Sequence, residues 1–254
     1  MKIVIITQDE PFYLANNLRY LIKTLPAHSK IVGCVVADAS PFGKKSSFID
    51  KAKQTLLVFG IGFFVHYSIK YVLSKLNPKK KVHRVLKEHQ IPAILLDQPI
   101  NSPESVEKIK AHQPELLISI LGNQIFKEPI INLAPKGCLN LHTALLPKYR
   151  GLMPTFWVLK HREKETGVSV FFVDKGIDSG PIVVQERVEI GNMTQEQLIV
   201  HTKKIGMESI AKAVDLIEND NVELIENNNE LKTYYSFPTR ADVIEFRKGG
   251  KRFY

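Results

Sequence analysis

Cysteine is scarce in this 254-residue sequence, which contains only Cys34 and Cys138. Each lies inside an apolar stretch, and neither belongs to a paired-cysteine or Cys/His spacing. The scarcity argues against a disulfide framework and against a cysteine-based zinc site. It fits a reducing compartment, and we expect a cytoplasmic protein.

Long hydrophobic runs are also missing. Residues 56–65 form ten positions without a charge, and the apolar character continues to residue 73 around His66 and Lys70. A bilayer span needs about 20 apolar residues, so the segment is too short. We interpret 56–73 as a helical insertion that is buried or forms a homodimer. The alternative is a helix lying on a membrane surface, because lysines flank the segment: Lys51, Lys53, Lys75 and Lys79-Lys80-Lys81.

Acidic residues are outnumbered, at 26 against 35 lysines and arginines, which gives a formal net charge of +9 and a pI of about 9.4. Such an excess favours anionic partners, among them phosphates, nucleic acid and acidic lipid. Charge alone does not choose among these partners.

Short β-type and helical patterns alternate along the chain. Residues 2–7 and 31–36 are β-branched runs, and 16–25 between them has helical spacing, so the chain opens as a βαβ unit. Further strands are predicted at 93–96, 116–121, 138–141, 168–173 and 183–189, with helices at 102–112 and from a capping box at Thr194 to Glu218. We therefore predict an α/β fold: a Rossmann-like, mostly parallel twisted sheet with helices on both faces and a small C-terminal β extension.

Two units follow from this pattern. Residues 1–218 form the main domain, and 219–254 form a short β-strand extension with its strands between 222 and 237 and a basic tail at the end. The tail contains Arg247-Lys248 and Lys251-Arg252, and a tail of this length is usually solvated.

Two polar motifs could carry chemistry. Asn140 and His142 are two residues apart at the end of a predicted strand, so both side chains project from one face, where an amide and an imidazole converge. Residues 173–181 form a polar, glycine-rich turn with two carboxylates. Each feature alone is weak, because a histidine near a strand end is often structural and an Asp-Lys-Gly segment is usually a simple turn.

Three ordered segments, 140–151, 165–168 and 174–181, together resemble the formyltransferases that use 10-formyltetrahydrofolate. This group includes methionyl-tRNA formyltransferase, glycinamide ribonucleotide formyltransferase and the sugar N-formyltransferases. The resemblance is close over roughly residues 90–190. It implies an N-formyltransferase in which Asn140, His142 and Asp178 are catalytic, with 10-formyltetrahydrofolate as co-substrate and no metal.

The resemblance also implies a folate pocket between two loops. One wall would come from Leu121, Gly122, Asn123, Gln124 and Ile125, and the other from Val173, Asp174, Lys175, Gly176 and Ile177. For any one of these side chains, an ordinary place in a loop or in the core is an equally good interpretation.

The sequence departs from the family pattern in two places, of which the second bears on the acceptor. Ala144 replaces the serine usual two residues after the histidine, and residues 152–157 differ from the tRNA enzyme. Arg150 either contacts an acceptor phosphate or pairs with a surface carboxylate.

The acceptor is the open question in this resemblance. Because only 36 residues follow Glu218, fewer than the C-terminal domain of the tRNA enzyme needs, we expect a small-molecule amine, an amino sugar on a nucleotide or a similar anionic carrier. Methionyl-tRNA is the alternative, and glycinamide ribonucleotide comes third. A non-catalytic folate- or nucleotide-binding protein, or a membrane-associated module, is the alternative of another class.

Overall fold

A mostly parallel sheet forms the centre of the computed structural model, which describes residues 1–37, 47–122 and 124–254. The strands of this described part are Lys2–Gln8 (β1), Lys30–Ala37 (β2), Ala93–Ile94 (β3), Leu116–Ser119 (β4), Cys138–His142 (β5), Arg150–Gly151 (β6), Glu165–Phe172 (β7), Ile182–Glu189 (β8) and Tyr234–Tyr235 (β9). The main sheet has the order β3-β2-β1-β4-β5-β7-β8, and β6 pairs separately with β9. Its first five strands are parallel, while β7 and β8 are antiparallel to their neighbours.

Helices cover both faces of this sheet. They are Leu14–Thr24 (α1), Phe48–Phe59 (α2), Ile61–Leu76 (α3), Val82–Glu88 (α4), Pro103–Lys110 (α5), Glu128–Ile131 (α6), Pro154–Lys160 (α7), Gln195–Glu218 (α8) and Arg240–Lys248 (α9). On β1, Ile3 and Ile5 enter the core that holds residues of α1, α4 and α8, whereas Val4 and Ile6 enter a core with residues of α5 and α6. Successive side chains of a strand point to opposite faces, so both faces are buried. The predicted α/β architecture is confirmed.

The predicted start of the long helix α8 is also confirmed. The Thr194 hydroxyl accepts a hydrogen bond from the Gln197 amide, and the Gln197 side chain accepts one from the Thr194 amide. This reciprocal pair satisfies two amides that the first helical turn leaves without partners.

The strand order reverses beside β1. From β1 the chain builds outwards to β2 and β3, and it then returns to the opposite side of β1 with β4 and β5. In open sheets of this kind, ligands bind beyond the carboxyl ends of the strands near such a reversal. Asn140 and His142 lie at the carboxyl end of β5, which is this edge.

The apolar segment 56–73 differs from the expectation of one buried helix. It is divided between α2 and α3 at Gly60, whose φ of +84° is a left-handed conformation that favours glycine. Phe59 and Phe63 are buried in a core with residues of α7 and α9, but most of the other large apolar side chains point outwards. The interpretation as a buried helix is therefore wrong for most of the segment. In the part of the chain that the structure describes, no helix has the length and apolar character needed to cross a bilayer.

The C-terminal region also differs from expectation. Between residues 222 and 237 the β structure of the described chain consists of the two-residue strand β9 and a bridge from Ile225 to Ile182, and Asn229–Leu231 form a 3-10 turn. Arg247 and Lys248 do not belong to a solvated tail, because they form the last turn of α9. This helix forms because Thr239 caps its first turn and Phe246 is buried against the main domain. The division of the chain at residue 218 stays a prediction.

Candidate active site

The strand β5 brings two polar side chains to one face of the sheet edge. Leu139 and Leu141 pack into the core on the α1 and α8 side, so the alternating positions 138, 140 and 142 face the other way. Cys138 is buried there, and burial raises the pKa of its thiol to about 12, which leaves it an unreactive thiol at neutral pH. Asn140 is half-buried. Among the described residues, none hydrogen-bonds to its side-chain amide.

His142 is buried and held in one orientation. Its Nε2 lies 2.7 Å from the main-chain oxygen of Tyr149. A carbonyl oxygen can only accept a hydrogen bond, so Nε2 carries a proton and donates it. The other ring nitrogen, Nδ1, lies 3.6 Å from Oδ2 of Asp178. Nδ1 is therefore the nitrogen of this imidazole that faces the carboxylate and can exchange a proton.

Asp178 lies in the turn between β7 and β8 and has a positive φ of 48°. Aspartate adopts this left-handed conformation more readily than most residues. Its Oδ2 accepts a hydrogen bond of 2.9 Å from the Gly151 amide, and its main-chain oxygen accepts one of 2.9 Å from the Asn227 side chain. The turn is thus fixed from both sides, and Asp178 is brought to His142 although the two are far apart in sequence.

Arg150 lies behind this pair and points into the protein. Its guanidinium donates hydrogen bonds to the side chain of Asn229 (2.7 Å) and to the side chain of Asn227 (2.8 Å). Burial lowers the pKa of this guanidinium below its ordinary value, and the carboxylates of Asp178 and Asp174 oppose the shift. Only 4% of Arg150 is exposed. It is therefore placed to position the site, and the expected contact with an acceptor phosphate does not fit this placement.

Asn227 is the residue that motif analysis missed. Its amide donates hydrogen bonds of 2.9 Å to the main-chain oxygens of Asp178 and Gly180, and its oxygen accepts from Arg150. In the sequence it belongs to an Asn-Asn-Asn run, a composition typical of surface turns. No local signal separates the buried Asn227 from Asn228 and Asn229.

The two predicted walls of the folate pocket lie next to each other. The Lys175 ammonium pairs with Glu128 at the start of α6, the helix that follows the 121–125 loop. The Val173 amide donates a hydrogen bond of 2.7 Å to the Cys138 carbonyl, so the second loop begins beside β5. Asn123 lies outside the described residues.

Side chains of these two loops fall into two groups. Ile125 and Ile177 are large, apolar and exposed, one on each loop. The other two side chains form hydrogen bonds within the protein. Gln124 accepts from the Ile100 amide, and Asp174 accepts from the Gly176 amide and the Ser179 hydroxyl. Leu121 has a positive φ of 58°, and a Cβ at Gly122 would come within 2.4 Å of the Ser119 hydroxyl. A side chain at Gly122 would therefore require the Ser119 hydroxyl to move.

Ala144 is buried where the resembling family usually has serine. Its carbonyl accepts a hydrogen bond of 2.8 Å from the Ser169 hydroxyl on β7, and the same hydroxyl accepts from the Leu146 amide and the Gln185 side chain. The turn that follows His142 is thus fixed by a hydroxyl from the neighbouring strand. Among the residues that the structure describes, no group of three His, Cys, Asp or Glu side chains could hold a metal ion.

A family model described as formyl transferase matches residues 30–214, well over half of the chain. The chain belongs to the formyl transferase family. The methionyl-tRNA formyltransferase of Kosmotoga olearia is 34% identical over 179 residues, which cover 68% of this chain and 56% of that protein. That of Thermotoga neapolitana is 32% identical over 253 residues, which cover 99% of this chain and 70% of that protein. The chain spans about half the length of most curated relatives that it matches.

Solved formyltransferases share the fold of this family member. The N-formyltransferase of Helicobacter canadensis, determined with folinic acid and dTDP-3-aminofucose, aligns with a TM-score of 0.59 over 95% of this chain and 72% of its own, at 20% identity. The phosphoribosylglycinamide formyltransferase of Anaplasma phagocytophilum aligns with a TM-score of 0.63 over 94% of this chain and 99% of its own, at 17% identity. At these identities, the likeness supports the fold alone.

Proposed function

We propose that this chain transfers the formyl group of 10-formyltetrahydrofolate to a primary amine. The observation that carries the proposal is the contact of His142 Nδ1 with the Asp178 carboxylate, 3.6 Å away, on the sheet edge that also presents Asn140. Membership of the formyl transferase family supplies the reaction class.

The three side chains have distinct roles in this reaction. The amine nitrogen bonds to the formyl carbon, and the carbonyl electron pair moves onto oxygen, where the Asn140 amide donates a hydrogen bond to the developing charge. As the bond from carbon to the folate nitrogen breaks, that nitrogen takes up the proton that the amine loses. His142 Nδ1 and the Asp178 carboxylate relay this proton. The products are a formamide and tetrahydrofolate.

The two loops fit the flat, partly apolar ring system of a folate. Ile125 and Ile177 offer exposed apolar surface on opposite walls, and Gly122 leaves the backbone of the first wall uncovered. The hydrogen bond from Val173 to Cys138 ties the second loop to β5, and the exposed ion pair from Lys175 to Glu128 joins it to the helix that follows the first loop. We propose that Leu121, Gly122, Asn123, Gln124 and Ile125 bind the folate together with Val173, Asp174, Lys175, Gly176 and Ile177.

The test of the catalytic roles is formyl transfer by substituted chains, followed as release of tetrahydrofolate. Asn140→Ala, His142→Ala and Asp178→Asn should each lower kcat by about 100-fold or more, as loss of an oxyanion donor or a general acid–base group does. The matched control is His83→Ala, because His83 is an exposed histidine on α4 and should leave the rate unchanged. Rates that stay at the wild-type level in all three variants would contradict the proposal and favour a non-catalytic folate-binding protein.

For the acceptor, we propose an amino sugar on a nucleotide or a similar anionic carrier. The net charge of +9 favours an anionic acceptor, and an acceptor of this kind, dTDP-3-aminofucose, is present in the structure of the Helicobacter canadensis enzyme, which shares the fold. Methionyl-tRNA is the second candidate, because the curated relatives at 34% identity are methionyl-tRNA formyltransferases.

A panel of acceptors separates these two candidates. Purified protein and 10-formyltetrahydrofolate are incubated with dTDP-linked amino sugars or with methionyl-tRNA, and the formylated product is identified by mass spectrometry. Product from an amino sugar alone supports the first candidate, whereas product from methionyl-tRNA alone overturns it. Asp178→Asn in parallel shows that the product depends on the proposed site.

A further inference from the structure

One side of the helix α3 presents a row of apolar side chains to solvent. Their exposed fractions range from 48% at Val65 to 75% at Leu76. The row consists of Ile61, Val65, Ile69, Val72, Leu73 and Leu76, and this spacing of three and four residues places them on one helical face. On α2, Leu57 is exposed in the same way. A surface helix usually turns its apolar face inwards, whereas α3 is apolar on its exposed side as well as at the buried Phe63.

The opposite side of α3 is firmly attached to the rest of the protein. Phe63 stacks on Phe59 and contacts Phe253 edge-on. The Lys70 ammonium pairs with Glu196 of α8 and donates a hydrogen bond of 2.8 Å to the Tyr13 hydroxyl. Because these contacts fix the helix, its exposed row is a defined feature of the folded surface.

The charged residues of the segment that carries the row all have one sign. Residues 51–87 contain nine of the 35 lysines and arginines of the chain and none of its 26 acidic residues. The formal charge of this segment therefore equals the whole net charge of +9, and the remainder of the chain is balanced. Lys70 and Lys75 pair with acidic residues from elsewhere in the chain, and Arg84 pairs with the acidic residue that ends α4. Lys53, Lys79 and Lys81 are exposed and take part in none of the ion pairs found among the described residues.

We propose that the exposed face of α3 docks on an anionic lipid surface. The apolar row would enter the boundary between headgroups and acyl chains, while the lysines contact acidic headgroups. A helix of 16 residues is about 24 Å long, shorter than the roughly 30 Å core of a bilayer, so it lies on the membrane.

Two other occupants fit this face less well. In a symmetric dimer the same patch meets itself, so the basic segment of one copy would oppose that of the other. Nucleic acid would accept the lysines, but its phosphates offer nothing to a row of aliphatic side chains. Of these three occupants, the anionic membrane is the one that matches both the charge and the apolar row.

The test is flotation of the whole chain with vesicles. One set contains phosphatidylcholine alone, and the other an equimolar mixture with phosphatidylglycerol. We expect binding to the anionic vesicles that weakens as salt rises, since salt screens exposed charges. Ile69→Ser with Leu73→Ser should lower the partition constant at least about tenfold per side chain. Lys79→Gln with Lys81→Gln should lower it about fivefold per lysine.

Matched controls replace equally exposed residues elsewhere. Leu95 and Leu231 are exposed leucines outside the segment, and Lys23 and Lys232 are exposed lysines. Leu95→Ser with Leu231→Ser, and Lys23→Gln with Lys232→Gln, should each bind vesicles as the wild type does. Circular dichroism is used to check that every variant is folded. The variants of the row should keep the wild-type rate of formyl transfer, because the row lies outside the proposed site.

Three outcomes would overturn the proposal. The first is no flotation with anionic vesicles at low salt. The second is dimerisation, measured by analytical ultracentrifugation, that Ile69→Ser with Leu73→Ser abolishes while vesicle binding is absent. The third is tRNA binding that depends on Lys79 and Lys81 but not on Ile69 and Leu73, again without vesicle binding. None of these results bears on formyl transfer, so the two proposals fail separately.

Discussion

The guanidinium of Arg150 donates a hydrogen bond of 2.8 Å to the side-chain oxygen of Asn227. The amide of the same Asn227 donates to the main-chain oxygens of Asp178 and Gly180. A buried cation thereby orients the side chain that holds the Asp178 turn. The position of the carboxylate opposite His142 depends on this connection as well as on the turn itself.

Removal of the Asn227 side chain should damage stability and activity together. Asn227→Ala deletes two hydrogen bonds to the Asp178 turn and one partner of a buried guanidinium, so we expect a loss of about 3 kcal/mol in the free energy of unfolding. Formyl transfer should fall because Asp178 is no longer held. Urea denaturation and tetrahydrofolate release measure the two effects. The control is Asn221→Ala, an exposed asparagine nearby, and equal losses in both variants would contradict the role given to Asn227.

Gly151 should tolerate no side chain. Its φ is +95°, and a Cβ would lie 2.3 Å from the Tyr235 carbonyl oxygen on the paired strand β9. Gly191 offers a matched comparison, because it too has a positive φ, of +52°, but a Cβ there would meet no atom within 4 Å. Gly191→Ala should therefore cost only about 1 kcal/mol of left-handed strain.

Gly151→Ala should cost clearly more than this, since strand β6 must move away from β9. The shift also displaces the Gly151 amide that donates to Asp178, so formyl transfer should fall in this variant and not in Gly191→Ala. Thermal denaturation gives the stability of each variant. Equal melting temperatures for the two variants would show that the close approach to Tyr235 has no energetic weight.

The sequence contained enough information to locate Asn140 and His142. Their spacing of two residues determines that they share a face, and the parallel order of β4 and β5 determines which edge of the sheet they occupy. Asn227 could not be found in this way, because its partners Arg150 and Asp178 lie 77 and 49 residues away. Only the folded chain brings them together.

The errors elsewhere also have physical causes. Residues 56–73 were expected to be buried or to form a homodimer, because apolar periodicity gives the face of a helix but not what that face contacts. The structure places Ile69 and Leu73 outwards. By contrast, the start of α9 has a local signal in the sequence, since Thr239 followed three residues later by Asp242 is a capping pattern.

Stability should depend on pH through Asp242. Partial burial alone would raise the pKa of this carboxyl, but hydrogen bonds from Thr239 and the Lys160 ammonium outweigh it, so the pKa lies below its ordinary value. A depressed pKa contributes stability above the unfolded value of about 3.9, and the contribution is lost as the pH falls through the folded pKa. Asp242→Asn should therefore lower the melting temperature near neutral pH, and its difference from the wild type should begin to shrink only as the pH falls below about 4 towards the folded pKa.

The control for this pH dependence is Glu245→Gln. Glu245 also contacts Lys160, at 2.8 Å, but it is 65% exposed, and exposed ion pairs contribute little. The difference in melting temperature between Glu245→Gln and the wild type should stay small across the same pH range. A difference as large as that of Asp242→Asn would assign the effect to the charge of Lys160 rather than to the cap of α9.

Two buried serines should respond in opposite ways to alanine. The Ser169 hydroxyl donates to the Ala144 carbonyl and accepts from the Leu146 amide and the Gln185 side chain. Ser169→Ala leaves these buried groups without that partner, so we expect a loss of about 1–3 kcal/mol. The Ser209 hydroxyl on α8 is buried and has no hydrogen-bond partner among the described residues.

Ser209→Ala should accordingly be neutral or stabilising, because it removes a polar group whose burial is uncompensated. Ser169→Ala should also slow formyl transfer, since the turn that it fixes directly follows His142, whereas Ser209→Ala should leave the rate unchanged. Urea denaturation and the rate of tetrahydrofolate release test both expectations. If Ser169→Ala kept full stability and full activity, the turn after His142 would have to be held by its backbone alone. The Ser169 hydroxyl of β7 would then not be replacing a hydrogen bond that is missing at Ala144.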